Sequence, residues 1–483
     1  SGGIVSDIIE NIDRRTGGNI MLDLILKNAN VFVGDSFSKV SVGVKDGKIV
    51  TICEDAYMPE AKEVMDLTGQ YLIPGTIDTH MHVRDPGHVE RGNFYTETMC
   101  AAAGGVTTIM EHPISVPPQY NVEILENRIK RAEDQCVVDF CFYGAAGAEF
   151  PEEITKLAAD GRIVAFKSFL HQAPQGRYDE FKGLTMADDA ELLVGMTEIA
   201  KTGLLCAFHS ENNDLINYYS KKFQEEGRVS GRDHSLSRPV FTEVQSVERV
   251  LRFAKETGAR VEIAHVSTPQ AMELIVKARQ EGQDVYIETC PHYLFLDEDD
   301  QAKFGPFSKC NPPLRKKELQ EGLWKFINDG SVDYIGSDHS PFLLEEKTRG
   351  LDNIFKANAG FPGADLRLPL MLDAVTKGKV KLERVIELLC TNPAKIFNIY
   401  PQKGEIRVGA DADFVSFNLD NEMIVDKNKC YSHAKEIAIP YDGWNLHCQL
   451  TSTVVRGRIV MKDGIVDESA KAYGRLVTPN RKN

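Results

Sequence analysis

Residues Ile73 to Gly87 read IPGTIDTHMHVRDPG, an apolar run that closes on Asp78 and then alternates Thr79 and Met81 with His80 and His82. In an extended backbone successive side chains point to opposite faces, so both imidazoles lie on one side. Neutral imidazoles placed this way suit a divalent metal ion. In a chain with 12 histidines an isolated pair is equally an ordinary strand end, so its meaning rests on what recurs further along.

What recurs is an alternation of strand and helix patterns. Eight apolar, β-branched runs follow one another: Leu72 to Asp78, Val106 to His112, Val137 to Gly144, Ile163 to Phe169, Leu204 to His209, Val261 to His265, Val285 to Thr289 and Val332 to Ser337. Between most of them lie stretches with helical spacing, among them NVEILENRIKRAED, ADDAELLVGMTEIAK, EVQSVERVLRFAKETG and TPQAMELIVKARQEG. Eight such units predict an α/β fold, a (β/α)8 TIM-like barrel over 71–399. An open doubly wound sheet would carry a Gly-rich turn after its first strand, where here the two histidines stand. On either side, 21–70 and 400–470 are short and β-rich, with turns at Asp46-Gly47 and Asp463-Gly464. These two ends predict one smaller β-sandwich domain built from both. Residues 1–20 read as a tag or extension and 471–483 as a C-terminal tail.

Function in such a barrel gathers at the C-terminal ends of the strands. The first strand ends at Asp78, His80 and His82, the fourth contains Lys167, the fifth ends at His209, the sixth at His265 and the eighth at Asp338. Val164, Ala165, Phe166 and Phe169 around Lys167 put it on a buried strand, where desolvation favours the neutral amine. Composition excludes other classes. No apolar run reaches the roughly 18 residues that a membrane span needs. The net charge of −15 comes from dispersed acids and argues against nucleic acid as a partner. The ten cysteines form no C-x-x-C pair, and Cys53, Cys141, Cys206 and Cys290 sit inside apolar runs, which predicts reduced, buried thiols and a cytoplasmic protein.

The motifs are similar to those of the cyclic amidohydrolases: allantoinases, hydantoinases or dihydropyrimidinases, and dihydroorotases. The resemblance runs from Met21 to about Val466 and is carried by DTHMHVRDPG at 78–87, AAAGGVTTIMEHP at 101–113, FKSF at 166–169, FHSEN at 208–212, SRPVFTEV at 237–244, AHVST at 264–268, ETCPHYL at 288–294, NPPLR at 311–315, GSDHSP at 336–341 and TNPAKIFNI followed by KGEIRVGADADFV. It implies hydrolytic opening of a small cyclic amide at a pair of divalent ions, zinc first, with cobalt, manganese or iron as substitutes. His80, His82 and Asp338 would hold one ion and His209 and His265 the second, while Lys167, carboxylated by carbon dioxide to a carbamate, would bridge them. Asp338 would carry the proton from nucleophile to departing ring nitrogen. The resemblance also implies a homotetramer, with a dimer second. A neutral lysine amine can add carbon dioxide, and imidazole and carboxylate are ordinary zinc ligands.

Within the family, FKSF resembles allantoinases and hydantoinases, since many dihydroorotases have an aspartate in place of the lysine. Arg84 looks like the dihydroorotase arginine that grips a substrate carboxylate, but the motif supplying its asparagine partner reads HPIS at 112–115. Gln172 stands where hydantoinases carry a tyrosine. The stretches EHPISVPP, GRVSGRDHSLSRPVFTEV and KARQEGQDVYIETCPHYLFLD look most like allantoinase, so allantoin to allantoate is the expected reaction. The alternative is a hydantoinase, dihydropyrimidinase or dihydroorotase acting on a carboxylated ring through Arg84; otherwise Arg84 is expected to pair with Glu97 or Asp85. Asn311 and the loop Ala359 to Gly363, with Gly360, match stretches that hold the substrate's ureide through backbone groups. His112, His292 and His339 are expected to support the ligands, and Trp324 and Tyr293 to be core. Non-catalytic relatives of dihydropyrimidinase have lost ligands; here none is missing.

Overall fold

A computed structural model describes residues 20–480, so the extension at 1–20 lies, apart from residue 20, outside the described residues. The chain opens with β1 (Leu22–Val33), β2 (Ser36–Lys45), β3 (Lys48–Cys53), β4 (Ala61–Asp66) and β5 (Tyr71–Pro74). The barrel strands follow: β6 (Thr76–Met81), β7 (Val106–Glu111), β8 (Asp139–Ala145), β9 (Ile163–Phe169), β10 (Cys206–His209), β11 (Val261–Ile263), β12 (Val285–Thr289) and β13 (Tyr334–Ile335). All eight pair in sequence order as one parallel sheet. A parallel bridge from Met81 to His339 and a 2.8 Å bond from His82 N to His339 O bring the last strand back to the first. Most of the expected helices stand between them, each with a visible start: Asn121 caps Val122–Glu133, Asp188 caps Asp189–Thr202 and Thr268 caps Pro269–Gln280. Their apolar stripes, such as Val247, Val250, Leu251 and Ala254 on Val240–Thr257, pack on the barrel wall.

After the barrel come β14 (Phe414–Asn418), the small pair β15 (Met423–Ile424) and β16 (Asn445–Leu446), then β17 (Gln449–Val455), β18 (Arg458–Lys462) and β19 (Ile465–Val466). Both chain ends build one domain, as expected, but hydrogen bonds join its strands into a single nine-stranded sheet, β19-β18-β17-β14-β5-β1-β2-β3 with β4 on β1. The sheet bends back on itself: Ile49 N bonds Ala410 O at 3.0 Å and Ala412 N bonds Gly47 O at 2.9 Å, enclosing Leu24, Leu26, Val42, Leu72, Phe414 and Val454. Asp46-Gly47 and Asp463-Gly464 turn with φ positive at both residues (49° and 74°, 48° and 81°), the turn type that matches strand twist. Gly75 carries the chain from this sheet into the barrel, where a Cβ would lie 2.1 Å from the Thr107 hydroxyl.

Beneath the barrel, Lys403 Nζ lies 2.5 Å from Asp139, 2.6 Å from Asp413 and 3.0 Å from Asp411, tying the two domains through a buried ionic knot. The segment expected to be a tail is built into this face: Phe140 N bonds Arg475 O at 3.0 Å and Val477 N bonds Phe140 O at 2.8 Å. All ten cysteines are unpaired; Cys141, Cys206 and Cys290 are buried as their apolar runs predict, whereas Cys53, expected to be buried with them, is half-buried, as is Cys430. Tyr293 is core, whereas Trp324 is only partly covered and packs edge-on against Phe295.

Candidate metal centre

At the C-terminal mouth of the barrel a cavity of about 730 Å³ is lined by His80, His82, Lys167, His209, His265 and Asp338, with Arg84, Asn311 and Gly360 in its wall. Every residue singled out as ligand, base or substrate contact therefore faces one space. His80, His82 and Asp338 bring one donor atom each within 4.8 Å of one another. His80 Nε2 is 3.1 Å and His82 Nε2 3.2 Å from Asp338 Oδ1. His209 and His265 stand beside them, their ring centroids 4.5 Å apart and His265 5.4 Å from His80.

Two of these residues depart from their predicted strands. β11 stops at Ile263, and His265 follows with φ 37°; β13 is only Tyr334–Ile335, and Asp338 has φ 51°. A left-handed backbone is uncommon for residues other than glycine and costs of order 1–3 kcal/mol, so its presence at two neighbouring cavity residues marks a site.

Burial dominates the electrostatics. It holds His80, His82 and His265 well below the ordinary histidine value, reinforced by positive neighbours, so the rings are neutral and their lone pairs available. Burial pushes Asp338 up to about 7, against the pull of Lys167 and Arg84. Lys167 is fully buried, its amine lowered by desolvation, and its Nζ is 3.1 Å from His112 Nδ1 and 4.9 Å above the Phe169 ring. No carboxylate pairs with it among the described residues.

Two buried glutamates support the cavity histidines. Glu288 Oε1 is 2.6 Å from His80 Nδ1 and 3.2 Å from His265 N, and Oε2 takes the Thr79 hydroxyl at 2.7 Å. Glu211 Oε1 is 2.7 Å from His209 Nε2 and 2.7 Å from Arg238. Each carboxylate engages one ring nitrogen, which orients the ring, and His80 turns its Nε2 to Asp338 at 3.1 Å. Neither was predicted; a glutamate next to the end of the run VYIET and one two residues after His209 are the signals that could have found them. His171, also unpredicted, stands edge-on to His209 at 4.7 Å. The expected supports take distinct places. His112 stacks on His80 at 3.6 Å, and His339 links Glu97 at 2.8 Å to the Gly363 and Ala364 amides. His292 lies under Phe361 with its Nε2 unpartnered.

The residues fit a metal. His80 Nε2 is a buried ring nitrogen outside any hydrogen bond, a costly state that a cation between it, His82 Nε2 and Asp338 would relieve, and His265 Nδ1 is buried and unpartnered beside it.

Arg84 does not pair with Glu97 or Asp85, one of the two readings open for it. Glu97 is held by His339 and Ser432, and Asp85 by Arg131 and Gln135. Arg84 instead donates to Ser340 Oγ at 2.8 Å and Pro341 O at 3.3 Å, with Nη1 buried and unpartnered. Asn311 Oδ1 is likewise buried without a partner, while Gly360 N already donates to Lys309 O at 2.8 Å and Gly360 O accepts from Lys347 at 2.7 Å. Of the two, Asn311 has the spare polar atom.

A barrel of this order with this rim defines an amidohydrolase, and the chain belongs to the Amidohydrolase family, which matches residues 71–460. The L-hydantoinase of Paenarthrobacter aurescens is 36% identical over 460 residues, 95% of this chain and 98% of that one. An allantoinase of Escherichia coli is 35% identical over 441 residues, 91% of this chain and 95% of its own. The solved L-hydantoinase (dihydropyrimidinase) from Arthrobacter aurescens superposes with a TM-score of 0.90, covering 95% of this chain and 100% of that one at 36% identity. The chain is thus a hydrolase of cyclic amides.

Proposed function

We propose that this protein opens a cyclic ureide by hydrolysing its ring amide bond at two divalent ions, with allantoin, opened to allantoate, as the first substrate. What carries the reading is the meeting of His80, His82, His209, His265 and Asp338 around a buried Lys167 in one cavity. His80, His82 and Asp338 would hold one ion, His209 and His265 the other, and Lys167, as its carbamate, both. Zinc fits these donors, with cobalt, manganese and iron as substitutes. Bound ions would supply Lewis acidity and lower the pKa of water at neutral pH. Asp338 Oδ takes a proton from the nucleophile and returns it to the leaving ring nitrogen, a role suited to a carboxyl pushed up to about 7. Asn311 Oδ1 accepts from a ring N–H.

Arg84 supports a second reading. A buried guanidinium with a free Nη1 and no carboxylate partner in the cavity wall favours a ring that carries its own carboxylate. Burial and the charges of Arg177 and Arg91 lower Arg84 to about 9, which leaves it charged at neutral pH.

The test is turnover of allantoin, hydantoin, dihydrouracil, 5-carboxymethylhydantoin and dihydroorotate by metal-loaded protein, with ring opening read by mass spectrometry. Allantoin turned over fastest supports the first reading. A carboxylated ring turned over fastest, with its KM raised in Arg84→Ala and that of neutral rings unmoved, replaces it with the second. No ring opened at all overturns both.

A further inference from the structure

Away from the barrel mouth, the first turns after β6 and the loops before β17 create a second meeting of chemically able side chains. Cys100, on the helix Phe94–Ala103, and Cys430 bring their sulfur atoms to 3.9 Å across 330 residues of chain. Asp365 completes the group: both sulfurs and a carboxylate oxygen lie within 4.8 Å of one another. Cys430 and Asp365 open onto a cavity of about 900 Å³, with Cys100 beneath them.

We propose that Cys100, Cys430 and Asp365 form a third metal site, selective for a thiophilic ion of the zinc class and separate from the catalytic centre. The spacing supports it. Two thiolates on a tetrahedral ion with bonds of about 2.3 Å lie about 3.8 Å apart. A disulfide would require about 2.05 Å. The observed 3.9 Å matches the first. Asp365 supplies a third, oxygen ligand, and the cavity side leaves room for a fourth from solvent. Binding takes one proton from each thiol and releases it to solvent, since the thiolate is the ligand.

Asp139, Asp411 and Asp413 also converge, but the Lys403 ammonium already sits among them at 2.5–3.0 Å and fills the place of a cation. No ammonium or guanidinium is ion-paired with Asp365 among the described residues.

The site joins three segments that also steady the catalytic rim. Glu97, one turn before Cys100, accepts from Ser432 Oγ at 2.6 Å and His433 N at 3.1 Å, and it is 2.8 Å from His339, the neighbour of Asp338. The amides of Gly363 and Ala364, just before Asp365, donate to His339 Nδ1 at 3.0 and 3.2 Å. An ion here would pin helix, loop and strap together and act on stability, not on chemistry.

The experiment titrates full-length, catalytically metallated protein with Cd²⁺ and follows the ultraviolet thiolate-to-metal charge-transfer absorption. The catalytic donors contain no sulfur, so the band reports thiol ligation alone. The expected result is a band saturating at one equivalent and a raised thermal midpoint in the wild type. Cys430→Ser should lose both, and Cys53→Ser, which removes a distant half-buried thiol, should keep both. Absence of the band from folded wild-type protein overturns the proposal. A band of full size that survives in folded Cys430→Ser also overturns it, by assigning the absorption to other thiols.

Discussion

Glu288 is a demanding place to perturb the centre, because one buried carboxylate serves both halves of it. Its Oε1 reaches His80 Nδ1 at 2.6 Å and His265 N at 3.2 Å, and its Oε2 takes the Thr79 hydroxyl at 2.7 Å. Burial and the nearby Glu262 push its pKa well above the carboxylate range, so its charge is unfavourable until positive charge arrives beside it. Glu288→Gln keeps the shape and one oxygen for His80 and His265 but cannot carry charge. Glu288→Ala removes all three bonds. At about 1 kcal/mol net for each, the alanine variant loses about 3 kcal/mol of fold stability in the metal-free state. Loss of such an orienting partner weakens metal binding by about 10- to 100-fold, or about 1.4–2.7 kcal/mol. The assay is metal affinity by chelator competition, alongside thermal unfolding of the stripped protein. Gln should weaken affinity with little change in the unfolding midpoint, and Ala should lower both. Wild-type metal affinity in both variants would refute the reasoning that Glu288 orients His80.

Other perturbations separate the remaining roles. Lys167→Ala should abolish ring opening, with partial return when a short-chain carboxylic acid and metal are added together; unchanged turnover would remove Lys167 from the centre. Asp338→Asn, compared at matched metal content, should lower kcat by about 10²- to 10⁴-fold while the circular dichroism spectrum stays that of the wild type. A loss under tenfold would put the proton shuttle elsewhere. Lys403→Met should destabilise the fold by about 3–5 kcal/mol, because it removes the buried ammonium shared by three carboxylates and takes from Asp413 its ion-pair partner, while Arg456 stays on Asp139 and Lys48 on Asp411. An unfolding midpoint equal to the wild type would show that Lys403 does not hold the domains together.

The sequence speaks most clearly where local pattern and tertiary context agree. β9 spans Ile163–Phe169, the run read from its apolar residues, because every side chain in it is buried. Helix starts at Asn121 and Thr268 were legible because a cap is a local device. Strand ends were less legible. β11 stops two residues short of His265, where Ala264 N turns to Phe208 O and the backbone goes left-handed, a conformation that no histidine announces. β13 covers only Tyr334–Ile335, flanked by bonds from Asp333 N to Ile287 O at 3.0 Å and from Gly336 N to Thr289 O at 3.1 Å, before the chain goes left-handed at Asp338. Of the two readings open for Arg84, the pairing with Asp85 or Glu97 fails because Arg131 and His339 reach those carboxylates from other elements. The sulfur pair of Cys100 and Cys430 is a product of the fold, with nothing in either local stretch to join them.

The most direct test of the account is to strip the protein of metal with a chelator and restore it stepwise while following ring opening of the preferred substrate. The account predicts no turnover in the stripped protein and recovery that saturates once two catalytic equivalents of zinc are bound, with His80→Ala and His265→Ala each failing to recover. Full turnover by rigorously metal-free protein would contradict it.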